Sequence, residues 1–237
     1  MKLYYDLHLH SCLSPCGDND MSPYNLVNMA KLLGYDIIAL TDHNSAENCE
    51  SAVKIGNDIG LTVVPGMELC TSEEIHNVCL FPTVEKAVEF SRFIKTTMPP
   101  VKNKEEIFGE QLIMDTEDGI LGKEEILLTL ASSVSIDELP SLVREYDGVC
   151  YPAHIDRESY SIISALGDFP DTLGVNAFEL TPNADENEWR KKYPALEGKL
   201  LIRSSDAHYL QNMRDAEFTV ELTENSAQAL IGFLKGE

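Results

Sequence analysis

The chemistry this chain can perform is concentrated in six histidines, and their placement is the first clue. Five of them fall at or just past the end of a short apolar run: His8 and His10 after residues 3–7, His43 after 36–40, His154 after 149–151 and His208 after 200–204. The sixth, His76, comes just before the run at 78–81. His8 and His10 are two apart, so on a strand both rings and the Asp6 carboxylate point to one face. That spacing suits two ligands on one ion, with Asp6 orienting a ring from behind. Acids accompany the others: Asp42 precedes His43, Asp206 stands two before His208, and Glu68 lies eight before His76. Imidazole and carboxylate together suit Zn, Mn or Fe(II), whereas an all-oxygen set would favour Mg or Ca.

Such residues converge only if strand ends share a rim. Short runs rich in β-branched residues alternate with amphipathic stretches, as in repeated β/α units around a parallel sheet or barrel. Strands are expected at 3–7, 36–40, 61–65, 78–81, 149–151, 177–180, 200–204 and 218–220. Ser22-Pro23 opens a helix that Gly34 closes, and Thr83 caps one over 84–96. Ser135 and Glu138 form a capping box for a helix ending near Gly148, and 226–235 reads as an outer helix. Residues 98–129 break the rhythm with prolines, charges and glycines, and read as an insertion or lid within a single domain spanning 1–237.

Length and composition fit that picture. A chain of 237 residues, 43% hydrophobic, can bury one sizeable core. The start shows no signal peptide and no apolar stretch is long enough to span a membrane, so a cytoplasmic protein is expected. Six scattered cysteines read as free thiols. Cys12 and Cys16 share a loop, but no second pair with matching spacing accompanies them, so a zinc or iron–sulfur site built on them is not expected. Glu73 and Glu74 read as solvated loop residues. A net charge of −22 argues against long nucleic acid and for a small substrate.

Taken in order, His8-Leu9-His10, Thr41-Asp42-His43-Asn44, Pro65-Gly66-Met67-Glu68, Pro152-Ala153-His154 and Ser204-Ser205-Asp206-Ala207-His208 resemble the PHP (polymerase and histidinol phosphatase) superfamily. The resemblance covers residues 1–213. It implies an α/β fold, a distorted (β/α)7 TIM-like barrel with two to three divalent ions at the strand C-terminal ends. It further implies one ion held by His8, His10, Glu68 and Asp206, and a second bridged by Glu68 to His76 and His154. A third would be held by His43, His208 and an acid that the family places in a Ser-Asp-Gly. Here Ser14 is followed by Pro15-Cys16-Gly17-Asp18, and counting back from Pro23 selects Asp18, with Asp20 as the alternative.

The implied activity is hydrolysis of a small phosphorylated metabolite or nucleotide. Two ions about 4 Å apart can activate a water for in-line attack on phosphorus. Arg157 and Arg214 are the cations best placed to bind phosphate oxygens, and Asp206 or His208 would protonate the leaving group. Within this class histidinol phosphate is the nearest named alternative substrate. A non-catalytic metal- or nucleotide-binding domain, or a metal hydrolase acting on C–N or C–O bonds, are the competing classes. The filled ligand positions argue against the first and Glu68 in the bridging slot against the second.

Overall fold

A computed structural model describes residues 1–237 as an α/β fold around a curled sheet. In chain order the elements are β1 (Lys2–Leu9), α1 (Pro23–Leu32), β2 (Ile37–Leu40), α2 (Cys49–Ile59), β3 (Thr62–Cys70), β4 (His76–Leu80) and α3 (Val84–Thr97). There follow α4 (Glu105–Phe108), β5 (Leu112–Met114), β6 (Ile120–Lys123), α5 (Leu139–Glu145), β7 (Val149–Pro152), α6 (Ile162–Leu166), β8 (Ala177–Leu180), α7 (Glu186–Lys192), β9 (Leu200–Arg203), β10 (Thr219–Glu221) and α8 (Ala227–Lys235). The six-stranded sheet runs β10-β1-β2-β3-β4-β7, and β8 pairs with β9 separately. Hydrogen bonds also tie the segment after β9 to β1: His10 N donates to Ala207 O at 3.1 Å and Leu7 N to Ser204 Oγ at 3.3 Å. No helix is long and apolar enough to cross a membrane.

The alternation expected from the sequence is visible in the packing. Leu3, Tyr5 and Leu7 of β1 join Ile37, Ala39, Val64, Val78 and Tyr151 in one apolar cluster, closed by Leu230, Ile231 and Leu234 of α8. The alternate residues Ile38, Leu40 and Val63 join a second, larger cluster with Leu26 and Ala30 of α1, Ala52 and Ile55 of α2, and Phe90 and Ile94 of α3. Period-two strands between two apolar layers bury both faces, which is the arrangement that leaves only strand ends for polar chemistry.

The expected parallel repeat breaks at β4. It pairs antiparallel with both β3 and β7, so β3, β4 and β7 form a meander. The turn at 71–75 is short enough for a hairpin and too short for a crossover, which is why β4 must reverse. Reversal puts the first residue of β4, His76, at the rim where its neighbours end.

Three of the expected helix starts hold their caps: the side chains of Ser22, Thr83 and Ser226 accept from Asn25 N, Lys86 N and Ala229 N. At the fourth, Ser135 and Glu138 exchange the expected reciprocal bonds, but α5 begins only at Leu139. Residues 98–129 hold α4 and the β5–β6 hairpin, and they are fastened rather than loose. Asn48 Nδ2 donates to Leu112 O at 3.0 Å, Met114 N donates to Asn48 Oδ1 at 2.9 Å, and Asn44 Nδ2 donates to Leu128 O at 2.7 Å. Leu112 and Met114 bury Cys12 in a small third cluster. Gly109, at φ +96°, lies where a β-carbon would collide with the Pro15 carbonyl, so this segment rests against the loop that follows β1.

Candidate metal centre

Backbone pairing at the rim brings the histidines together. Residues beyond β2 continue beside β3: Asn44 N donates to Glu68 O and Glu68 N to Thr41 O, which sets His43 beside Glu68. Across the meander, Ala153 N donates to His76 O, so His154 follows β7 to the same place. The Leu9–Ala207 bridge carries Asp206 and His208 to the end of β1. Asn44, His154 and Asp206 all have positive φ, at 47°, 29° and 51°, backbone strain that clusters at this rim.

Glu68 is the hub. Its Oε1 lies 3.2 Å from His8 Nε2, 2.9 Å from His76 Nδ1 and 3.1 Å from His154 Nε2, and its Oε2 lies 2.9 Å from His43 Nδ1 and 3.4 Å from His10 Nε2. Asp206 Oδ1 stands 3.1 Å from His10 Nε2 and 3.4 Å from His8 Nε2. Nearly all of these side chains are buried, His8 and His10 completely. Burial opposes charge on Glu68 and Asp206, yet the surrounding histidines hold both well below the usual carboxylate range.

Three groups of donor atoms are close enough to share an ion: His8, His10 and Glu68; His43, Glu68 and His76; and His10, His43 and His208. Four buried atoms here, His43 Nδ1, Glu68 Oε2, His154 Nδ1 and Asp206 Oδ1, make no well-directed hydrogen bond, although His43 Nδ1 and Glu68 Oε2 stand 2.9 Å apart. Unpaired buried donors and acceptors are costly, and divalent cations would satisfy them, so the residues fit a metal cluster.

Asp6 does not orient a ring. Its Oδ1 accepts from the backbone N of His8 and Ser205 instead, at 3.3 and 3.2 Å. The orienting acid is Glu179, whose two oxygens lie 3.0 and 3.1 Å from His8 Nδ1 and which also accepts from His154 N at 3.0 Å. The one sequence signal for Glu179 is its place as an acid inside the apolar run at 177–180, since a buried carboxylate requires partners. On the other side Ser14 Oγ lies 2.9 Å from His10 Nδ1 and donates to Asp42 Oδ1 at 2.7 Å, a relay that positions His10.

Arg157 reaches the cluster, with Nη1 2.6 Å from Asp206 Oδ2. Arg214 instead hydrogen-bonds Asn183 and pairs with Glu217, without a polar contact to the histidines. Asp18 belongs to none of the three donor groups; its Oδ1 accepts from Asp20 N at 2.8 Å. Asp20 is exposed.

The PHP domain model matches residues 6–168. The chain belongs to the PHP domain family. Among solved structures, the PHP chain is similar over its whole length to the lesion-specific endonuclease PfuEndoQ from Pyrococcus furiosus, with a TM-score of 0.75 and 18% identity, covering 56% of that chain. It also resembles Endonuclease Q in complex with a 27-mer duplex bearing an abasic lesion, at a TM-score of 0.69 and 18% identity, covering 100% of this chain and 57% of that one. A protein from Bifidobacterium adolescentis assigned as a metal-dependent phosphoesterase matches with a TM-score of 0.62 and 17% identity, covering 97% of this chain and 95% of that one. In sequence, a 74-residue stretch is 34% identical to a 5'-3' exoribonuclease of Haemophilus influenzae, covering 31% of this chain and 26% of the relative. This PHP chain therefore spans little more than half of the endonuclease, and its match spans about a quarter of the exoribonuclease.

Proposed function

We propose that the protein is a metal-dependent phosphoesterase that hydrolyses a P–O bond of a phosphorylated metabolite or nucleotide. Two to three divalent ions, Zn, Mn or Fe, would be held by His8, His10, His43, Glu68, His76, His154, Asp206 and His208 on a distorted (β/α)7 barrel. The observation that carries this reading is the single buried carboxylate of Glu68 facing five histidines, three of them through one oxygen. A carboxylate so placed is suited to bridge two ions. Bound ions would activate water and neutralise charge on a phosphoryl group. Glu179 and Ser14 orient the ligand rings. Arg157, on the solvent side of Asp206, would bind non-bridging phosphate oxygens.

A second reading is cleavage of DNA or RNA. The likeness to Endonuclease Q supports it, while the net charge of −22 supports a small substrate. The test is metal analysis of the purified protein, with turnover measured under Zn, Mn, Fe and Mg on aryl phosphate mono- and diesters, histidinol phosphate, short oligonucleotides and duplex DNA with an abasic site. Metal-dependent turnover of small esters alone supports the first reading, and cleavage of duplex at lower protein concentration than any small ester supports the second. Absence of bound metal and of all turnover would favour a non-catalytic binding domain.

A further inference from the structure

The loop that leaves β7 brings three side chains to the rim. His154 faces Glu68, Arg157 reaches Asp206, and Tyr160 covers His76. The ring of Tyr160 stacks on the His76 imidazole with centroids 4.6 Å apart and planes 24° from parallel. Main-chain bonds fix it there: His76 N donates to Tyr160 O at 2.9 Å, Arg157 N to His154 O at 2.9 Å and Ser161 Oγ to Arg157 O at 2.7 Å. Asp156 accepts from Thr181 N and Oγ1 at 2.8 and 2.5 Å, which ties the loop to the end of β8. Tyr160 takes φ +54°, a backbone conformation that bulky side chains rarely adopt and that gathers at functional sites. Packing does not account for the strain, because Tyr160 is 48% exposed. One face of its ring lies on His76 and the residue is otherwise open to solvent at the edge of the metal centre.

We propose that Tyr160 is the stacking platform for a nucleobase, which makes the substrate of this centre a nucleotide rather than the phosphate of a sugar or polyol. The assignment rests on the phosphoesterase reading above and narrows its substrate class. A tyrosine ring has two flat faces; an imidazole takes one, and a second planar ring completes the stack on the other. An imidazole nitrogen binds an ion in the plane of its own ring, and His76 belongs to one of the donor groups around Glu68. A base on the open face of Tyr160 therefore has the whole tyrosine ring between it and that plane. A phosphoryl group at Glu68 and a ring on Tyr160 need a spacer to join them. Ribose is long enough, whereas the single bridging oxygen of an aryl phosphate is not. Arg157, three residues earlier in the same loop, places a guanidinium on the Asp206 side for the phosphate end of such a molecule. Stacking reads the flat face of a base and none of its hydrogen-bonding edge, so this platform accepts every base.

The experiment compares adenosine 5′-monophosphate with ribose 5-phosphate, which differ only in the base, as ligands of the full-length Mn(II)-loaded protein in titration calorimetry. Where either compound is turned over, kcat/KM replaces the affinity in the same comparison. Wild type should prefer the nucleotide by about tenfold or more. Tyr160→Phe should keep that preference, and Tyr160→Leu should reduce it to about twofold or less, with bound metal and circular dichroism as in wild type. Equal affinity for the two compounds in wild type, or a preference that survives Tyr160→Leu, overturns the platform and leaves the phosphoesterase reading standing. Loss of bound metal in Tyr160→Leu with the preference intact assigns the ring to holding His76 and overturns the platform as well. A metal-loaded wild type that takes up neither compound overturns both.

Discussion

Glu179 and His8, separated by 171 residues, meet at 3.0 Å through Oε1 and Nδ1. A carboxylate there keeps a proton on Nδ1 and aims Nε2 of His8 at Glu68 and Asp206, so Nε2 is the nitrogen that would ligate an ion. Glu179→Ala should therefore weaken metal binding by about 10–100-fold without removing a ligand. Competition against a chromophoric chelator measures it, and an affinity within twofold of wild type would mean that His8 is oriented by its packing alone.

Glu68→Gln tests the hub. The amide keeps the shape but offers one neutral acceptor where several histidines converge. Since bound ions would supply several kcal/mol to the proposed hydrolysis, turnover should fall by about 1000-fold or more, with less metal bound and an unchanged far-ultraviolet spectrum. Retention of full metal content and activity would refute the bridging role.

Asp6 gives a pH signature in the metal-free protein. Burial lifts its carboxyl from the ordinary 3.8 to about 7, against the hydrogen bonds from Ser205 and His8. Between those values the folded state keeps a proton that the unfolded chain has released. The contribution of this group is therefore full below about pH 4 and declines as pH rises to 7, a loss of at most about 4 kcal/mol at ~1.4 kcal/mol per unit. Asp6→Asn should be more stable than wild type at pH 8 and equal to it near pH 4 in urea unfolding. A gain that does not vary with pH would assign the effect to packing.

The cysteines should separate by reactivity. Five are buried, and burial pushes Cys12, Cys49 and Cys70 up to about 12. Cys16 is exposed, and although its surroundings resist charge, His208 and His43 bring its thiol down to about 6. Metal-free protein treated with an aromatic disulfide should show one fast thiol, lost in Cys16→Ser, whose rate climbs as pH passes through 6 and then levels. Five slow thiols should appear only on unfolding.

Strand positions were legible because each apolar run alternates or is β-branched; residues 177–180 coincide with β8, and most other runs match to within a residue or two. β1 and β3 extend further than their apolar runs, since His8, Glu68 and Cys70 continue the pairing with polar or rim residues. The direction of β4 was encoded in the one histidine that precedes its run, a sign that this strand enters the rim where the others leave it. Asp206 and Glu68 were found through their neighbouring histidines. Glu179 was missed because its partner His8 is distant in sequence. The hairpin within 98–129 showed weak periodicity because polar bonds from Asn44 and Asn48 hold it, and such bonds leave no repeating pattern.

The placement of β1 between β2 and β10 also orders events during synthesis. β2 follows β1 by about 30 residues, whereas β10 and the segment carrying Asp206 and His208 emerge about 200 residues later. The chain before residue 200 carries His8, His10, His43, Glu68, His76 and His154, and the last two donors, Asp206 and His208, reach the end of β1 only through contacts of very long sequence separation.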